Sequence, residues 1–89
     1  MKHLTITVTG KVQGVYYRAS AREKALELGL KGLVKNMSDG SVYIEAEGPE
    51  EKLEEFVRWC KKGPVLARVS DIDVKEGSAQ DFASFVIDR

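Results

Sequence analysis

The sequence predicts an α+β domain with one sheet and two helices. Segments with the two-residue period of strands are interrupted twice by longer segments with the apolar spacing of helices. An Asp-Gly pair joins two of the strand-like segments directly, which is typical of a hairpin. The chain has only 89 residues, and a domain of this size removes only about 60 to 65% of its unfolded surface from water. All elements are therefore expected to share one core, with residues 1–89 as a single domain.

Five short strands are predicted from alternating apolar and polar residues. The first contains Leu4, Ile6 and Val8 between threonines, and it is expected to end at Gly10. Two more strands flank the turn formed by the Asp-Gly pair at 39–40. The predicted strands cover residues 4–9, 33–37, 42–47, part of 68–75, and 83–87.

The first helix is predicted over residues 19–28, starting at residue 19 or one or two residues before it. Ser20 and Glu23 have the spacing of a capping box, so Ser20 is expected to cap the helix rather than act as a nucleophile. Gly29 follows the last apolar position and suits a C-terminal cap.

The second helix is predicted to have Pro49 in its first turn and to close at residues 61–64. Its apolar residues recur at i, i+3, i+4 and i+7, namely at Leu53, Phe56, Val57 and Cys60. Cys60 is therefore interpreted as a buried small hydrophobe rather than a reactive thiol. Trp59 lies off this stripe and is expected to pack at its edge.

The order of the predicted elements, β-α-β-β-α-β followed by a short strand, is that of the ferredoxin-like split βαβ arrangement. With right-handed crossovers the sheet is antiparallel with strand order 4-1-3-2, and both helices lie on one face. The threonines of the first strand and Tyr43, Glu45 and Glu47 are expected on the solvent face, with His3 at the start of an exposed strand. This topology places the loop at 10–17 near Asn36, roughly 10 Å away across two interstrand spacings of about 4.8 Å.

Charge is balanced over the chain but not along it. Fourteen Lys and Arg match fourteen Asp and Glu, which argues against the basic surface of a nucleic-acid-binding protein. Residues 1–36 nevertheless hold seven basic and two acidic residues, a net charge of +5 that residues 37–89 cancel. Either these charges solvate helix and loop faces, or they draw a small anion to the first part of the chain.

Composition indicates a cytoplasmic protein without a membrane span. No stretch approaches the roughly 18 apolar residues that cross a bilayer. Cys60 is the single cysteine and cannot form an internal disulfide, and the first nine residues carry no long apolar targeting segment. We expect a monomer that binds neither a membrane nor nucleic acid.

The connection between the first strand and the first helix, G-K-V-Q-G-V-Y-Y-R at residues 10–18, can cradle an anion. Its two glycines permit backbone angles that point successive N–H groups inward, and the helix start adds a partial positive charge. Arg18 supplies a fork of donors that matches phosphate or carboxylate oxygens. From these residues alone, an exposed turn with a solvated arginine remains an equal alternative.

These residues resemble the signature of the acylphosphatase family, usually G-x-V-Q-G-V-x-F-R. The stretch G-L-V-K-N at residues 32–36, the D-G-S-V at 39–42, Gly48, the K-G-P at 62–64 and the A-R-V at 67–69 are similar to later parts of that family. The resemblance covers nearly the whole chain and the same order of elements. Tyr17 departs from the usual phenylalanine and Leu33 from the usual aromatic residue, which bears on rate or stability more than on reaction type.

The resemblance implies an enzyme that hydrolyses small acyl phosphates to a carboxylate and inorganic phosphate. It implies that the loop amides bind the phosphate together with Arg18, and that Asn36 positions the attacking water. The implied phosphate-binding residues are Gln13, Gly14, Val15, Tyr16, Tyr17 and Arg18. Inorganic phosphate or sulfate is then an expected ligand, and no cofactor or metal is implied.

The residues themselves are compatible with such chemistry. A cysteine phosphatase needs its nucleophile six residues before the loop arginine, where this chain has Val12. The chain has one histidine and no cluster of metal-ligating residues near the loop. Because its conjugate acid has a pKa of about 4, a carboxylate is a good leaving group without a general acid. The remaining task of the enzyme is to hold the phosphoryl group and the water in line. Direct attack by the water, with a phosphate oxygen accepting its proton, is the predicted mechanism.

A non-enzymatic binding module is the alternative, because ferredoxin-like sheets also serve as RNA-binding and small-ligand domains. The third strand offers one aromatic residue, Tyr43, where an RNA-binding sheet presents several. A regulatory module that binds a small anion without consuming it therefore remains the stronger form of this alternative.

Overall fold

The computed structural model describes residues 1–88 and arranges them in the predicted order of elements. The helices are α1 (Tyr17–Glu27) and α2 (Glu50–Lys62). The strands are β1 (Lys2–Lys11), β2 (Lys31–Asn36), β3 (Val42–Gly48), β4 (Arg68–Gly77) and β5 (Phe85–Ile87).

The sheet has the order β4-β1-β3-β2-β5. β1 pairs antiparallel with β3 and β4, and β2 pairs antiparallel with β3, so the predicted order 4-1-3-2 is confirmed. The short last strand, β5, adds to the outer edge of β2 in parallel, with Gly32 opposite Phe85 and Val34 opposite Ile87. The five-stranded sheet is therefore mixed.

One face of the sheet and both helices form the core. Apolar residues at alternate positions of β1 and β3 are buried because side chains alternate between the faces of a strand. They form a single cluster with Ala21 and Ala25 of α1 and with Leu53, Phe56 and Cys60 of α2. The helices thus lie together on one face, as predicted.

β1 continues past Gly10, where the sequence predicted its end. The register against β4 shifts between Thr9 and Gly10, and pairing resumes with Gly10 opposite Val69 and Lys11 opposite Arg68. Gly10 has a φ of 128°, and a Cβ atom there would stand 2.2 Å from the carbonyl oxygen of Arg68. The glycine therefore permits a β-bulge and a close strand approach rather than terminating the strand.

The prediction that Ser20 caps the first helix is wrong. α1 begins at Tyr17, at the early limit of the predicted start, and Tyr16 is its N-cap, with no side-chain cap hydrogen bond. Ser20 lies inside the first turn, where its N–H donates to the carbonyl of Tyr16 at 3.0 Å. The cap at the other end is confirmed, because Gly29 N–H donates to the carbonyl of Leu26 just beyond the last helical residue.

α2 follows its prediction closely. Pro49 is the N-cap rather than a first-turn residue, and its carbonyl accepts hydrogen bonds from the N–H groups of Lys52 and Leu53. Cys60 is fully buried, as predicted. Trp59 is half-buried at the edge of the core, with its ring centroid 6.2 Å from that of Phe56.

The second face of the sheet is partly covered, contrary to prediction. Glu47 and His3 are buried, although both were expected to face solvent. The connection from β4 to β5 crosses this end of the sheet, where the Glu47 carboxylate accepts hydrogen bonds from the N–H groups of Gln80 and Phe82. His3 Nε2 lies 2.9 Å from a Glu45 carboxylate oxygen. Phe82 stacks on the His3 ring. The connection therefore buries both Glu47 and His3, and the alternation of residues within β1 and β3 gave no indication of it.

Candidate active site

The loop between β1 and α1 is held to the core by two valines. Val12 and Val15 are 1% and 5% exposed and belong to the core cluster. Gly14 lies between them with a φ of 75°, and Tyr16 follows with a φ of 66°. Because the apolar side chains point inward, the backbone between them is free to face outward.

This backbone carries hydrogen-bond donors without partners. Within residues 1–88, the N–H groups of residues 13–16 donate to no other group of the chain. Left-handed residues in a short loop turn successive N–H groups toward one point, which creates a concavity for an anion. The loop leads into the N-terminus of α1, whose first turn holds no acidic residue to offset the partial positive charge of the helix end.

Gln13 fastens this loop to the turn between β2 and β3. Its side-chain Nε2 donates to the carbonyl oxygens of Met37 at 2.8 Å and Ser41 at 2.9 Å. Hydrogen bonds within the turn also stabilise it, since the Asp39 carboxylate accepts from both the N–H and the hydroxyl of Ser41. The Gln13 side chain therefore connects the loop to the residues that follow Asn36.

A cavity of about 370 Å³ opens between this loop and the ends of β2 and β5. It brings together Arg18 and Asn36, which the sequence predicted as catalytic. Gly14, Tyr16 and Tyr17 also line it, whereas Gln13 and Val15 of the predicted phosphate-binding set do not. The full lining consists of Val12, Gly14, Tyr16, Tyr17, Arg18, Ala19, Asn36 and Ile87.

Sequence reasoning missed three of these lining residues. Val12 and Ala19 adjoin residues already assigned to the loop, so a wider window would have included them. Ile87 carries no such signal, because it reaches the cavity only through the parallel pairing of β5 with β2.

Two polar side chains in the cavity lack partners in the chain. Asn36 is the last residue of β2, and its Oδ1 is buried with no hydrogen-bond partner among residues 1–88. A buried acceptor of this kind is costly unless a ligand or water donates to it. Arg18 is half-buried and forms no ion pair with a residue of the described chain. The cavity is thus lined by one cation without a partner and by Asn36, whose side-chain oxygen is buried and unpaired among residues 1–88.

A hydrogen bond of Tyr17 accounts for a tyrosine at the position where the signature usually has phenylalanine. Its buried hydroxyl donates to the carbonyl oxygen of Cys60 at 2.7 Å. In a continuous helix that carbonyl would accept from the residue four positions on, but residue 64 is a proline without an N–H. The tyrosine supplies the missing donor and joins the start of α1 to the end of α2. Burial raises the pKa of the Tyr17 hydroxyl, so it stays protonated.

Cys60 is buried in the core and is not among the residues that line the cavity. Burial raises the pKa of its thiol to about 12, which keeps it neutral at physiological pH. Among residues 1–88, no three or more His, Cys, Asp or Glu side chains form a group that could hold a metal ion.

The fold and the cavity define a class of protein: a ferredoxin-like domain whose first helix is preceded by a loop of unpaired backbone N–H groups. The family model described as Acylphosphatase matches residues 4–87. The acylphosphatase of Methylococcus capsulatus is 48% identical, with 100% of this chain and 98% of that protein covered. The acylphosphatase of Thermus thermophilus is 49% identical over 96% of this chain and 97% of its own length.

Solved structures agree with the sequence comparisons. The crystal structure of acylphosphatase from Bacillus subtilis superposes with a TM-score of 0.97 at 41% identity and covers 100% of both chains. The chain belongs to the acylphosphatase family. Neither helix within residues 1–88 is long and apolar enough to span a bilayer.

Proposed function

We propose that this chain hydrolyses the carboxyl-phosphate bond of small acyl phosphates and releases a carboxylate and inorganic phosphate without a metal or cofactor. The observation that carries the proposal is the lining of one cavity: Arg18 without a partner carboxylate, Asn36 with its buried and unpaired Oδ1, and the loop that leads into α1. Membership of the acylphosphatase family supports the same activity.

In this proposal the phosphoryl group binds in the loop. Backbone N–H groups of Gln13, Gly14, Val15, Tyr16 and Tyr17 and the guanidinium of Arg18 donate to its oxygens. The loop is anchored by buried valines and by the Gln13 side chain, so its donors need little reorganisation when the substrate arrives. Charge that shifts onto the phosphoryl oxygens in the transition state is stabilised by the same donors and by the helix end.

Asn36 holds the attacking water. Asn36 lines the cavity and its side-chain oxygen has no partner among residues 1–88, so a water that donates one proton to it can direct a lone pair at phosphorus. The water attacks in line with the bond to the acyl oxygen. That bond breaks, its electron pair leaves on the carboxylate, and a phosphate oxygen accepts the proton of the water.

The proposed attack is direct, without a covalent enzyme intermediate. The position six residues before Arg18 is the buried Val12, and the thiol of Cys60 is buried and neutral. The polar side chains that line the cavity are those of Tyr16, Tyr17, Arg18 and Asn36. Because a carboxylate is a good leaving group, positioning and charge stabilisation suffice.

We further propose that residues 1–89 act as one domain, as a monomer in the cytoplasm. The single cysteine is a free buried thiol, which suits a reducing compartment. Sedimentation equilibrium on the purified protein tests the monomer, and fractionation of the source cells tests the location.

Release of phosphate from acetyl phosphate by the purified protein, in excess chelator, tests the activity. We expect turnover that chelator does not reduce, and far slower action on ordinary phosphate monoesters, whose alkoxide leaving groups need a general acid or a metal. Arg18→Ala should remove most of the activity, whereas Arg58→Ala, at an exposed position of α2, should retain it. Binding of phosphate without consumption of acyl phosphate would instead identify a regulatory module, and activity restored only by a divalent ion would contradict the metal-free mechanism.

A further inference from the structure

The cavity has an apolar part that the phosphate chemistry does not use. Besides Arg18 and Asn36, its lining includes Val12, Ala19 and Ile87, with Tyr16 at the loop. A phosphate group is about as large as three water molecules, on the order of 100 Å³ when one water takes up about 30 Å³. The cavity of about 370 Å³ therefore has room for more than the phosphoryl group.

Tyr16 is the most unusual residue of this lining. It is 76% exposed, although a large aromatic side chain gains by burial. Its φ of 66° is in the left-handed region, which non-glycine residues rarely occupy and which recurs at functional sites. Its side chain makes no hydrogen bond within residues 1–88. The aromatic ring is therefore available to a ligand beside the phosphate loop.

Ile87 provides a second apolar group from a different element. β5 pairs with β2, so that Ile87 stands opposite Val34, two residues before Asn36. The next residue, Asp88, donates its N–H to the carbonyl of Val34 at 2.9 Å, which fixes the end of β5 beside the cavity. A half-buried isoleucine thus lines the same cavity as the exposed tyrosine.

We propose that Tyr16 and Ile87 form the binding surface for the acyl group and select aromatic and other apolar acyl phosphates over acetyl phosphate. This inference rests on the proposed function, because it assigns the remainder of the same substrate. With the phosphoryl group held by the loop, the attached acyl chain must leave it through the cavity. An aromatic acyl group gains contact with the tyrosine ring and the isoleucine side chain, whereas a methyl group is too small to gain as much.

The ratio of kcat/KM for benzoyl phosphate to that for acetyl phosphate tests the inference. Intrinsic reactivity and any general damage to the loop affect both substrates, so a change in the ratio reports the acyl group alone. Tyr16→Asn removes the ring but retains a residue that tolerates left-handed backbone. We expect the ratio to fall by about 3- to 10-fold, the size of an aromatic contact. Tyr16→Phe should keep the ratio of the parent.

Ile87→Ala should lower the ratio in the same direction, and Val65→Ala, at a 92% exposed apolar residue away from the cavity, serves as the control. Ile87→Val provides a milder substitution with an intermediate ratio if Ile87→Ala does not fold. An unchanged ratio in Tyr16→Asn, with both substrates still hydrolysed, would overturn the inference and leave the proposed function intact. A parent protein that hydrolyses neither substrate would refute the proposed function, and the acyl surface with it.

Discussion

Arg18 and Asn36 have different roles in the proposed mechanism, and single substitutions separate them. Arg18 contacts the phosphoryl group in the bound substrate and more strongly in the transition state, so Arg18→Ala should raise the phosphate inhibition constant and lower kcat together. Asn36 holds only the water. Asn36→Ala should lower kcat by roughly 10²- to 10⁴-fold, the range of positioning and hydrogen-bond effects, while phosphate affinity stays near that of the parent.

The measurements are kcat with acetyl phosphate and the inhibition constant of inorganic phosphate, for both variants after circular dichroism has shown that they fold. Full turnover by Asn36→Ala would mean that another group directs the water. A loss of phosphate binding in Asn36→Ala as large as that in Arg18→Ala would place Asn36 on the phosphoryl group instead.

The buried hydrogen bond of Tyr17 leads to a prediction about the free energy of unfolding. Tyr17→Phe leaves the carbonyl of Cys60 without a donor, because Pro64 cannot provide one. An unsatisfied buried acceptor costs about 1–3 kcal/mol. For a domain of 60 to 100 residues, each kcal/mol lowers the melting temperature by about 4 to 8 °C. Urea unfolding of Tyr17→Phe beside Tyr43→Phe, whose half-buried hydroxyl donates to Glu45, measures the difference.

The effect at Tyr43 should be smaller, because water can replace its partner. Equal stability of Tyr17→Phe and the parent would show that the Cys60 carbonyl finds another donor when the phenol is removed.

At the scale of elements, the site depends on how the β1–α1 loop is fixed to the β2–β3 turn. Gln13→Ala removes both hydrogen bonds to that turn. The carbonyls of Met37 and Ser41 keep other donors, from Gly40 and from Met37 respectively, so the loss of stability should be only about 1 kcal/mol. The catalytic rate should fall by about 10-fold or more, because loop and Asn36 are no longer held in register.

Gln80→Ala is the matched control, since its exposed side chain donates only to the carbonyl of Ser78. Steady-state kinetics and urea unfolding of both variants separate the two effects. If Gln13→Ala reduces stability without reducing kcat, the connection is structural and does not position the site.

At the scale of the whole molecule, phosphate binding should stabilise the fold. The loop exists as an anion site only in the folded chain, so inorganic phosphate at 100 times its dissociation constant should add about 2.7 kcal/mol. For a domain of this size the melting temperature should rise by about 10 to 20 °C. Differential scanning calorimetry across a phosphate series, at constant ionic strength, provides the measurement.

Arg18→Ala should lose most of this stabilisation, while Arg58→Ala should keep it. Equal stabilisation of Arg18→Ala and the parent would place the anion site elsewhere on the protein.

The sequence by itself determined the type and order of the elements and the loop that contains the site. Alternation in β1 and β3 and the i, i+3, i+4, i+7 stripe of α2 are local patterns, and burial on one face requires them. Gly14 and Arg18 lie nine residues or fewer beyond the end of the first predicted strand, so a loop with candidate anion-binding donors could be recognised without any tertiary contact. The right-handed crossover then brought Asn36 to the same edge.

Only the tertiary structure decided the features that arise between segments distant in the sequence. The burial of Glu47 and His3 depends on a connection more than thirty residues further along the chain. The place of β5, and with it Ile87 in the cavity, depends on which sheet edge was left free. The N-cap of α1 is Tyr16, so the local capping preference of Ser20 does not set the start of the helix. Local sequence patterns record which face of an element is apolar, whereas packing between elements selects the partner that covers it.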